Sequence, residues 1–369
     1  MTETTTRADV LATLLGIEAG SPLAQLRARR SEATTHTQGS YDALFVAPSA
    51  TRVTPAERFA TALRVAALHA EPALIDHYAA QLRAAPGGAE LVEPAAAGPD
   101  ASGLPERLRA MLRHADLLVI RPAAATRADL AALQRAGLAA PEVVTVSQVI
   151  AFTSFEVRVF VALALLRGDE RRAPAEQLGP RDATTEGFTQ EQLGWTPWIG
   201  EPSVEELTDA QRAVLPGRRI ESPYFRLLSL DPAVLGERTA TDMGIFYTHE
   251  GLWRAERELA ATVTSRVNGC IYCASVHSRN ASQISKRPDD VQRLLDEGIG
   301  ARLDERWRAI ADLAAALTVT PPAATQKEVQ RLRDLGLDDL ELLDLMQSAA
   351  FFSWANRLML TLGEPIRGA

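Results

Sequence analysis

The chain has 369 residues, which is enough for two domains or one large one. Its 46% hydrophobic and 23% charged residues are ordinary for a globular protein with a buried core. The formal net charge of -8, with no basic patch to balance it, argues against a nucleic-acid or anionic-membrane partner. Residues 2–9 lack the apolar core of a secretory signal, and two cysteines are too few for a disulfide scaffold. We therefore predict a cytoplasmic location.

Helical apolar spacing runs through nearly all of the sequence, which is rich in Ala, Leu, Arg and Glu, so we predict an all-α fold. Residues 1–45 have no counterpart elsewhere in the chain and are predicted to form an N-terminal helical extension. Residues 46–168 are predicted to form a first domain. Its last part, 143–166, is the most apolar stretch, but Gln148, Glu156 and Arg158 interrupt it. That pattern favours a buried helix over a membrane span.

The next segment, 169–203, is dense in Gly, Pro and charged residues and is predicted to be a linker. Its two tryptophans, Trp195 and Trp198, are expected to fix it to the protein surface. Residues 204–369 form the second predicted domain, which contains both cysteines of the chain.

The second domain repeats the first at a constant offset of 199 residues, as shown by the matches of Gln148, Phe152 and Arg158 with Gln347, Phe351 and Arg357. We therefore predict a duplicated bundle. Further upstream an offset of 201 aligns Glu57 with Glu258, and it places His69, Pro72 and Asp76 at the positions of Cys270, Cys273 and His277. On that alignment the first copy keeps the glutamate and loses the thiols, the histidine and the Asn268-Gly269 helix break.

The two cysteines form a Cys-x-x-Cys pair, and His277 follows four residues after Cys273. On a helix Cys270, Cys273 and His277 share one face. Asn268-Gly269 is expected to end one helix, so Cys270 falls in the first turn of the next. There the helix dipole and the exposed backbone N–H groups favour a thiolate. Glu258, twelve residues before Cys270, is a candidate proton acceptor.

Three interpretations of this cluster are open. A redox-active dithiol fits the spacing and the presence of a neighbouring acid and base. A structural zinc site would need four ligands, and the sequence offers Cys270, Cys273 and His277, with Glu258 or His249 as a fourth. The cysteines could also be core residues at helical spacing. We favour the dithiol, because a chain that uses cysteine nowhere else is not using it to fill a core.

The motif resembles that of a known family. Glu258, then eleven residues, then Cys270-Ile-Tyr-Cys273-Ala-Ser-Val-His277 is similar to the signature of the AhpD-like alkylhydroperoxidases, in the carboxymuconolactone decarboxylase superfamily. The first copy resembles superfamily members that lack the redox pair. The whole chain therefore resembles a fusion of two such domains, and the specific motif is confined to about twenty residues of the second.

The resemblance implies an all-helical bundle that assembles into a homo-oligomer, either a trimer of two-domain chains or a dimer. It implies that Cys273 attacks the peroxide and Cys270 resolves the sulfenic acid, while Glu258 and His277 relay protons. A lipoyl- or thioredoxin-like dithiol would then reduce the disulfide. The chemistry needs no metal or flavin cofactor.

Other functions remain open alongside the peroxidase. The same thiols could serve a disulfide reductase or lipoyl-linked carrier without peroxide turnover. A superfamily decarboxylase or lactone-type activity would not need the thiols, and a redox sensor would not be an enzyme. In the first copy, Glu57, His69, Asp76 and His77 could form a separate polar or decarboxylase-like site, although a structural role is favoured for this copy.

Overall fold

The computed structural model describes residues 9–47 and 51–367. These residues form eighteen α-helices and one small sheet, so the prediction of an all-α fold is confirmed. The helices are α1 (Val10–Leu15), α2 (Pro22–Ala28), α3 (Ser31–Phe45), α4 (Pro55–Leu68), α5 (Pro72–Ala84), α6 (Val92–Ala97), α7 (Glu106–Ile120), α8 (Arg127–Arg135), α9 (Ala140–Arg167), α10 (Asp209–Ala213), α11 (Pro223–Leu228), α12 (Pro232–Phe246), α13 (Arg254–Asn268), α14 (Ile271–Ser285), α15 (Pro288–Glu297), α16 (Glu305–Thr318), α17 (Gln326–Asp334) and α18 (Asp339–Leu362).

The duplication seen in the sequence is confirmed by the packing. Helices α7, α8 and α9 each begin 199 residues before α16, α17 and α18. In one half α4 packs against α5, α7 and α9, and in the other half α13 packs against α14, α16 and α18. We call α3–α9 the first repeat and α12–α18 the second repeat.

Helix α3 is the counterpart of α12, since both have 15 residues and they pack against each other. Arg58 of α4 donates to the Leu44 carbonyl of α3, and Arg257 of α13 donates in the same way to the Ile245 carbonyl of α12. The expectation that residues 1–45 have no counterpart is therefore wrong for α3. Residues 1–8 of the predicted extension lie outside the described residues.

The core is centred on α9, which packs against α18. Every residue of α9 from 142 to 165 is buried. Within the described ranges, α9 is the one helix long and apolar enough to cross a membrane, and its apolar window is entirely enclosed by protein. The two central helices thus supply the shared interior of both repeats, as a buried apolar stretch predicts.

Two equivalent arginines, one in each repeat, each donate a hydrogen bond to the other repeat across this interior. Arg158 of α9 donates to the carbonyl of Thr318 in the second repeat, at 2.5 Å. Arg357 of α18 donates to the carbonyl of Val119 in the first repeat, at 3.3 Å. Thr318 and Val119 are equivalent positions at the carboxyl ends of α16 and α7, so the repeats face each other through a reciprocal arrangement.

The segment between the repeats is held against the second one. Strand β1 (Leu193–Pro197) pairs antiparallel with β2 (Gly363–Arg367), which follows α18. Trp195 is buried and donates from Nε1 to the Met359 carbonyl at 3.2 Å, whereas Trp198 is half-buried. The expectation that tryptophans fix the linker is met most directly by Trp195.

A buried carboxylate joins the start of the first repeat to the second. Asp344 of α18 accepts from Arg30 Nε at 2.6 Å and from Arg257 Nη2 at 2.8 Å. Gly251 lies beside this group and has a left-handed conformation, with φ +79°. A Cβ at this position would overlap the Asp344 carboxylate. Two arginines thus compensate one buried acid at a place that leaves no room for a side chain on residue 251.

Candidate active site

The thiols lie at a sharp break between α13 and α14. Asn268 is the last residue of α13, and Gly269 follows in the left-handed conformation, with φ +78°. A Cβ on Gly269 would come within 2.7 Å of both Ala123 and Thr185, so the position requires glycine for space as well as for conformation. Cys270 is then the N-cap of α14 and Cys273 lies in its first turn, so the helix begins just after the point expected from the sequence, which placed Cys270 itself in the first turn.

The first repeat keeps this break, contrary to the sequence alignment. Ala70, which is 199 residues before Gly269, also has a left-handed conformation, with φ +51°. Helix α5 begins immediately afterwards with Glu71 as its N-cap, just as α14 begins after Cys270. The break is therefore a property of the fold, and it was not lost together with the thiols.

Both thiols are free and almost completely buried. Cys270 is 1% exposed and Cys273 is 5% exposed. Next to them the Asn268 side chain donates to Asn356 at 3.0 Å, and Asn356 donates to Ser265 at 3.1 Å. These polar side chains come from two helices, α13 and α18, and lie beside the thiols.

The two thiols have opposite acidities. Burial alone would raise the pKa of Cys273, but the hydrogen bond from Cys270 and the nearby positive charge of His277 outweigh it and lower that pKa below its ordinary value. Burial and the interaction with Cys273 raise the pKa of Cys270 well above its ordinary value. Cys273 is therefore the more acidic thiol of the pair, and Cys270 is the one that donates a hydrogen bond to it.

A carboxylate and a histidine form a pair beside Cys273. Glu258 accepts from Nδ1 of His277 at 2.5 Å and from Nε of Arg254 at 2.7 Å. Burial would raise the pKa of Glu258, but His277 and then Arg254 lower it to a net value below the ordinary one. Burial would lower the pKa of His277, but Glu258 and Cys273 raise it. Charged forms of both residues are thus mutually stabilised.

The structure brings together all four site residues predicted from the sequence, but it corrects the assignment of Glu57. Glu57 pairs with Arg107 at 2.9 Å, and Glu256 pairs with Arg306 at 2.7 Å. Glu256 is 199 residues after Glu57, and Arg306 is 199 residues after Arg107. Glu57 therefore corresponds to Glu256 and not to Glu258.

The first repeat has different residues at every site position. Offset by 199, the counterparts of Glu258, Cys270, Cys273 and His277 are Phe59, Glu71, Leu74 and Tyr78. The first repeat therefore lacks the glutamate as well as the thiols and the histidine.

The polar residues proposed for a separate site in the first repeat do not converge. Glu57 binds Arg107, His69 lies next to Ser154 at 3.4 Å, and the His77 ring lies 2.8 Å from the Tyr41 hydroxyl. Asp76 is exposed. Each group has a different environment, so these residues do not form the decarboxylase-like cluster that was the less favoured alternative for the first copy.

Several site residues come from outside the sequence motif. The His277 ring lies edge-on to Phe352 with centroids 4.1 Å apart, and Phe246 lies 6.0 Å away on another side. Arg238 and Asp242, one turn apart on α12, also face this region, since the charges of both bear on the motif residues. No local pattern marks them, because only the packing of α12 and α18 onto α14 brings them to the site.

The residues that flank the motif have structural contacts. Ser275 donates to the Tyr272 carbonyl at 2.8 Å, within α14. Arg266 donates to Asp182 at 2.8 Å and to the Ala183 carbonyl at 2.9 Å, which ties the linker to α13. Within residues 9–47 and 51–367, no three His, Cys, Asp or Glu side chains are arranged to hold a metal ion.

Comparison with known families identifies one segment of the chain. Residues 232–316, which span α12 to the greater part of α16, match the model of the carboxymuconolactone decarboxylase family. The resemblance to the carboxymuconolactone decarboxylase superfamily is thereby confirmed for this segment, which contains all four predicted site residues. No curated protein matches the sequence.

Two solved structures are similar to part of the chain. One is the alkylhydroperoxidase AhpD core of an uncharacterized peroxidase-related protein from Ralstonia eutropha JMP134, with 23% identity, a TM-score of 0.39, and coverage of 43% of this chain and 86% of that one. The other is an uncharacterized peroxidase-related protein from Silicibacter sp. TM1040, with 22% identity, a TM-score of 0.39, and coverage of 49% of this chain and 95% of that one.

Proposed function

We propose that the protein is a thiol-dependent peroxidase that reduces hydrogen peroxide or an organic hydroperoxide. The observation that carries the proposal is the grouping of a thiol of lowered pKa, Cys273, with the hydrogen-bonded pair of His277 and Glu258. A thiolate is the form of cysteine that attacks a peroxide, and a nearby imidazolium can protonate the oxygen that leaves.

The reaction would proceed in three balanced steps. The Cys273 thiolate attacks one peroxide oxygen, the O–O bond breaks, and the departing alkoxide takes a proton from His277, which leaves a sulfenic acid and an alcohol. The Cys270 thiol then displaces water from the sulfenic acid and forms a Cys270–Cys273 disulfide. An external dithiol reduces this disulfide by exchange and becomes a disulfide itself.

The reductant is proposed to be a lipoyl- or thioredoxin-like dithiol, because each cycle consumes two electrons and two protons, and one dithiol supplies both as it becomes a disulfide. The predicted homo-oligomer, a trimer of two-domain chains or a dimer, is likewise a proposal. Light scattering on the purified protein measures its mass against 39.9 kDa for one chain.

The decisive experiment follows hydroperoxide consumption with dihydrolipoamide as reductant. Cys273→Ser is expected to abolish turnover. Cys270→Ser protein is expected to consume one equivalent of peroxide, which oxidises Cys273, and then to stop. Mass spectrometry of the Cys270→Ser protein should find one added oxygen on Cys273. If dihydrolipoamide is oxidised by a disulfide substrate but never by a peroxide, the same thiols serve a disulfide reductase and the peroxidase proposal is wrong.

A further inference from the structure

Arg238 is a buried cation that forms no direct ion pair within the described residues. It is 4% exposed and lies on α12. Over the described residues its guanidinium makes no hydrogen bond or ion pair, and its Nε atom is fully enclosed without a partner. Burying a charge without a partner is strongly unfavourable in a protein unless something else supplies the opposite charge. The position is therefore suited to an anion that is not part of the chain.

Three aromatic rings surround the guanidinium. Its central carbon lies 5.0 Å from the Phe351 ring centroid, 5.7 Å from Trp354 and 6.0 Å from Tyr224. Rings at these distances stabilise the cation and hold it in place, but they accept no strong hydrogen bond from its N–H edge. The charge of Arg238 opposes the burial effect that raises the pKa of Asp242, one turn further along α12, but the two side chains form no ion pair among the described residues. The N–H groups are thus held in position and have no acceptor.

The cation lies at the thiol end of the site. Phe351, which packs on Arg238, has its ring 5.9 Å from Phe352, and Phe352 contacts His277 at 4.1 Å. The positive charge of Arg238 also contributes to the low pKa of Cys273, after the hydrogen bond from Cys270 and the charge of His277. An anion held by Arg238 would therefore lie close to the reactive sulfur.

The arginine is found only in the repeat that carries thiols. Before the loop that separates α3 from α4 the offset between repeats is 201, so the counterpart of Arg238 is Thr37. Thr37 bonds to the Ala33 carbonyl of its own helix at 2.7 Å and bears no charge. A cation required only to stabilise this helix packing would be expected in both repeats.

We propose that Arg238 binds a carboxylate carried by the molecule that reacts with Cys273, so that the substrates of the site are acidic. This inference extends the proposed peroxidase function to hydroperoxides that bear a carboxylate. The pair of Glu258 and His277 already provides the proton for the oxygen that leaves, so the second cation is available for a group that stays anionic throughout. A planar guanidinium edge matches the two oxygens of a carboxylate.

Thiol alkylation tests the proposal without any peroxide. In Cys270→Ser protein, Cys273 is the remaining one of the two cysteines, and its thiolate displaces iodide from either iodoacetate or iodoacetamide. The two reagents are similar in size and differ in charge. Both rates scale with the same thiolate fraction, so their ratio isolates the attraction for the carboxylate. We expect the iodoacetate-to-iodoacetamide ratio to be higher for the folded chain than for the same chain unfolded in urea.

Substitution of the arginine should remove this preference. Arg238→Met in the Cys270→Ser background is expected to lower the ratio by about tenfold, the effect of losing a hydrogen bond to a charged group. The ratio for Arg238→Lys should lie between those of the arginine and methionine proteins, since lysine keeps the charge but lacks the planar guanidinium edge. The matched control is Arg279→Met on α14, whose Nη1 donates to the Gln190 carbonyl at 3.4 Å, and it should leave the ratio unchanged.

Two results would overturn the proposal: a ratio in the folded chain no higher than in the unfolded one, or an unchanged ratio in folded Arg238→Met protein. The first comparison needs no change at residue 238, so the proposal stays testable if Arg238→Met does not fold. A charge-selective ratio in a protein that consumes no hydroperoxide would support the carboxylate site and reject the peroxidase function.

Discussion

Tyr78 occupies in the first repeat the position that His277 occupies in the second. Each packs against the last residue of an equivalent helix: the ring centroid of Phe45 in α3 lies 5.5 Å from that of Tyr78, and the centroid of Phe246 in α12 lies 6.0 Å from that of His277. His277 pairs with a carboxylate of α13, whereas Tyr78 donates to Glu156 of α9. Both repeats thus bury an acid beside this position, but the acid comes from a different helix and meets a different partner.

Glu156→Gln is expected to stabilise the protein near pH 8. Burial raises the pKa of Glu156 to about 8, against an opposing effect of the Tyr78 hydrogen bond. An unfolded glutamate titrates near pH 4.3, so between about pH 4 and pH 8 the folded protein keeps a proton that the unfolded chain releases. The contribution of Glu156 to the free energy of unfolding is fully present below about pH 4. It falls by on the order of a few kcal/mol as the pH rises to about 8.

Urea unfolding at about pH 5.5 and about pH 8 measures this effect. Wild type should lose more stability than Glu156→Gln between the two values, because glutamine does not titrate. Tyr78→Phe keeps the carboxyl and should retain the pH dependence. An equal change in the free energy of unfolding between the two pH values for wild type and Glu156→Gln would show that Glu156 is ionised in the folded protein at neutral pH.

Glu258→Gln is expected to lower the pKa of His277 and to slow oxidation of Cys273. Burial favours neutral His277, and the charge and hydrogen bond of Glu258 overcome that effect. Without the carboxylate only the burial effect and weaker charges remain, so the imidazolium and the thiolate beside it both become less stable. Loss of a positioned acid–base group typically costs about 10²–10⁴ in rate.

NMR titration of His277 and stopped-flow oxidation of Cys273 report the two effects separately. Glu256→Gln is the matched control, because Glu256 lies on the same helix and pairs with Arg306 instead of His277. It should leave the pKa of His277 unchanged. A loss of rate in Glu258→Gln with no change in that pKa would assign Glu258 a purely structural role.

Cys270→Ala is expected to raise the pKa of Cys273 more than Cys270→Ser does. The hydrogen bond from Cys270 is the largest of the effects that lower the pKa of Cys273. Serine keeps a donor at this position and alanine removes it. The pH dependence of iodoacetamide alkylation of Cys273 gives the midpoint in each variant, and the alanine midpoint should lie higher. Identical midpoints would mean that His277 alone sustains the thiolate.

Gly251→Ala is expected to destabilise the protein by more than Gly16→Ala. Both glycines are left-handed, with φ +79° and +60°, so alanine costs about 1–2 kcal/mol at either. Nothing lies near Gly16, whereas a Cβ at Gly251 would overlap Asp344 and its partner Arg30. Breaking a buried ion pair adds about 3–5 kcal/mol.

Thermal unfolding of the two alanine variants compares these costs directly. Gly16→Ala isolates the backbone strain, and the difference between the variants isolates the damage to the buried ion pairs. Equal melting temperatures would show that the Asp344 contacts rearrange without loss.

Sequence periodicity was sufficient to predict the helices, the repeat and the place of the thiols, since apolar spacing and the Asn268-Gly269 pair act locally. It did not locate the change of offset between repeats. Nine residues separate α3 from α4 and seven separate α12 from α13, so the offset changes in that loop, which has no periodic pattern. An offset of 201 carried beyond the loop therefore matched Glu57 with the wrong glutamate.

The rest of the site depends on long-range packing. Arg238 and Phe352 come from α12 and α18, and neither belongs to the spaced motif. Nothing in their neighbourhood in the sequence differs from an ordinary amphipathic helix. Only the meeting of α12, α14 and α18 makes them neighbours of His277, and such a meeting is set by the whole bundle.

The packing of α9 on α18 within one polypeptide also has a genetic consequence. In a dimer of identical chains one codon change alters both subunits, so a lost cysteine removes both reaction centres at once. In a single chain the change alters one repeat, and the other keeps its chemistry. Phe59, Leu74 and Tyr78 could therefore arise without loss of the centre at Cys273. Covalent joining of the repeats therefore allows one repeat to change its residues while the other keeps them.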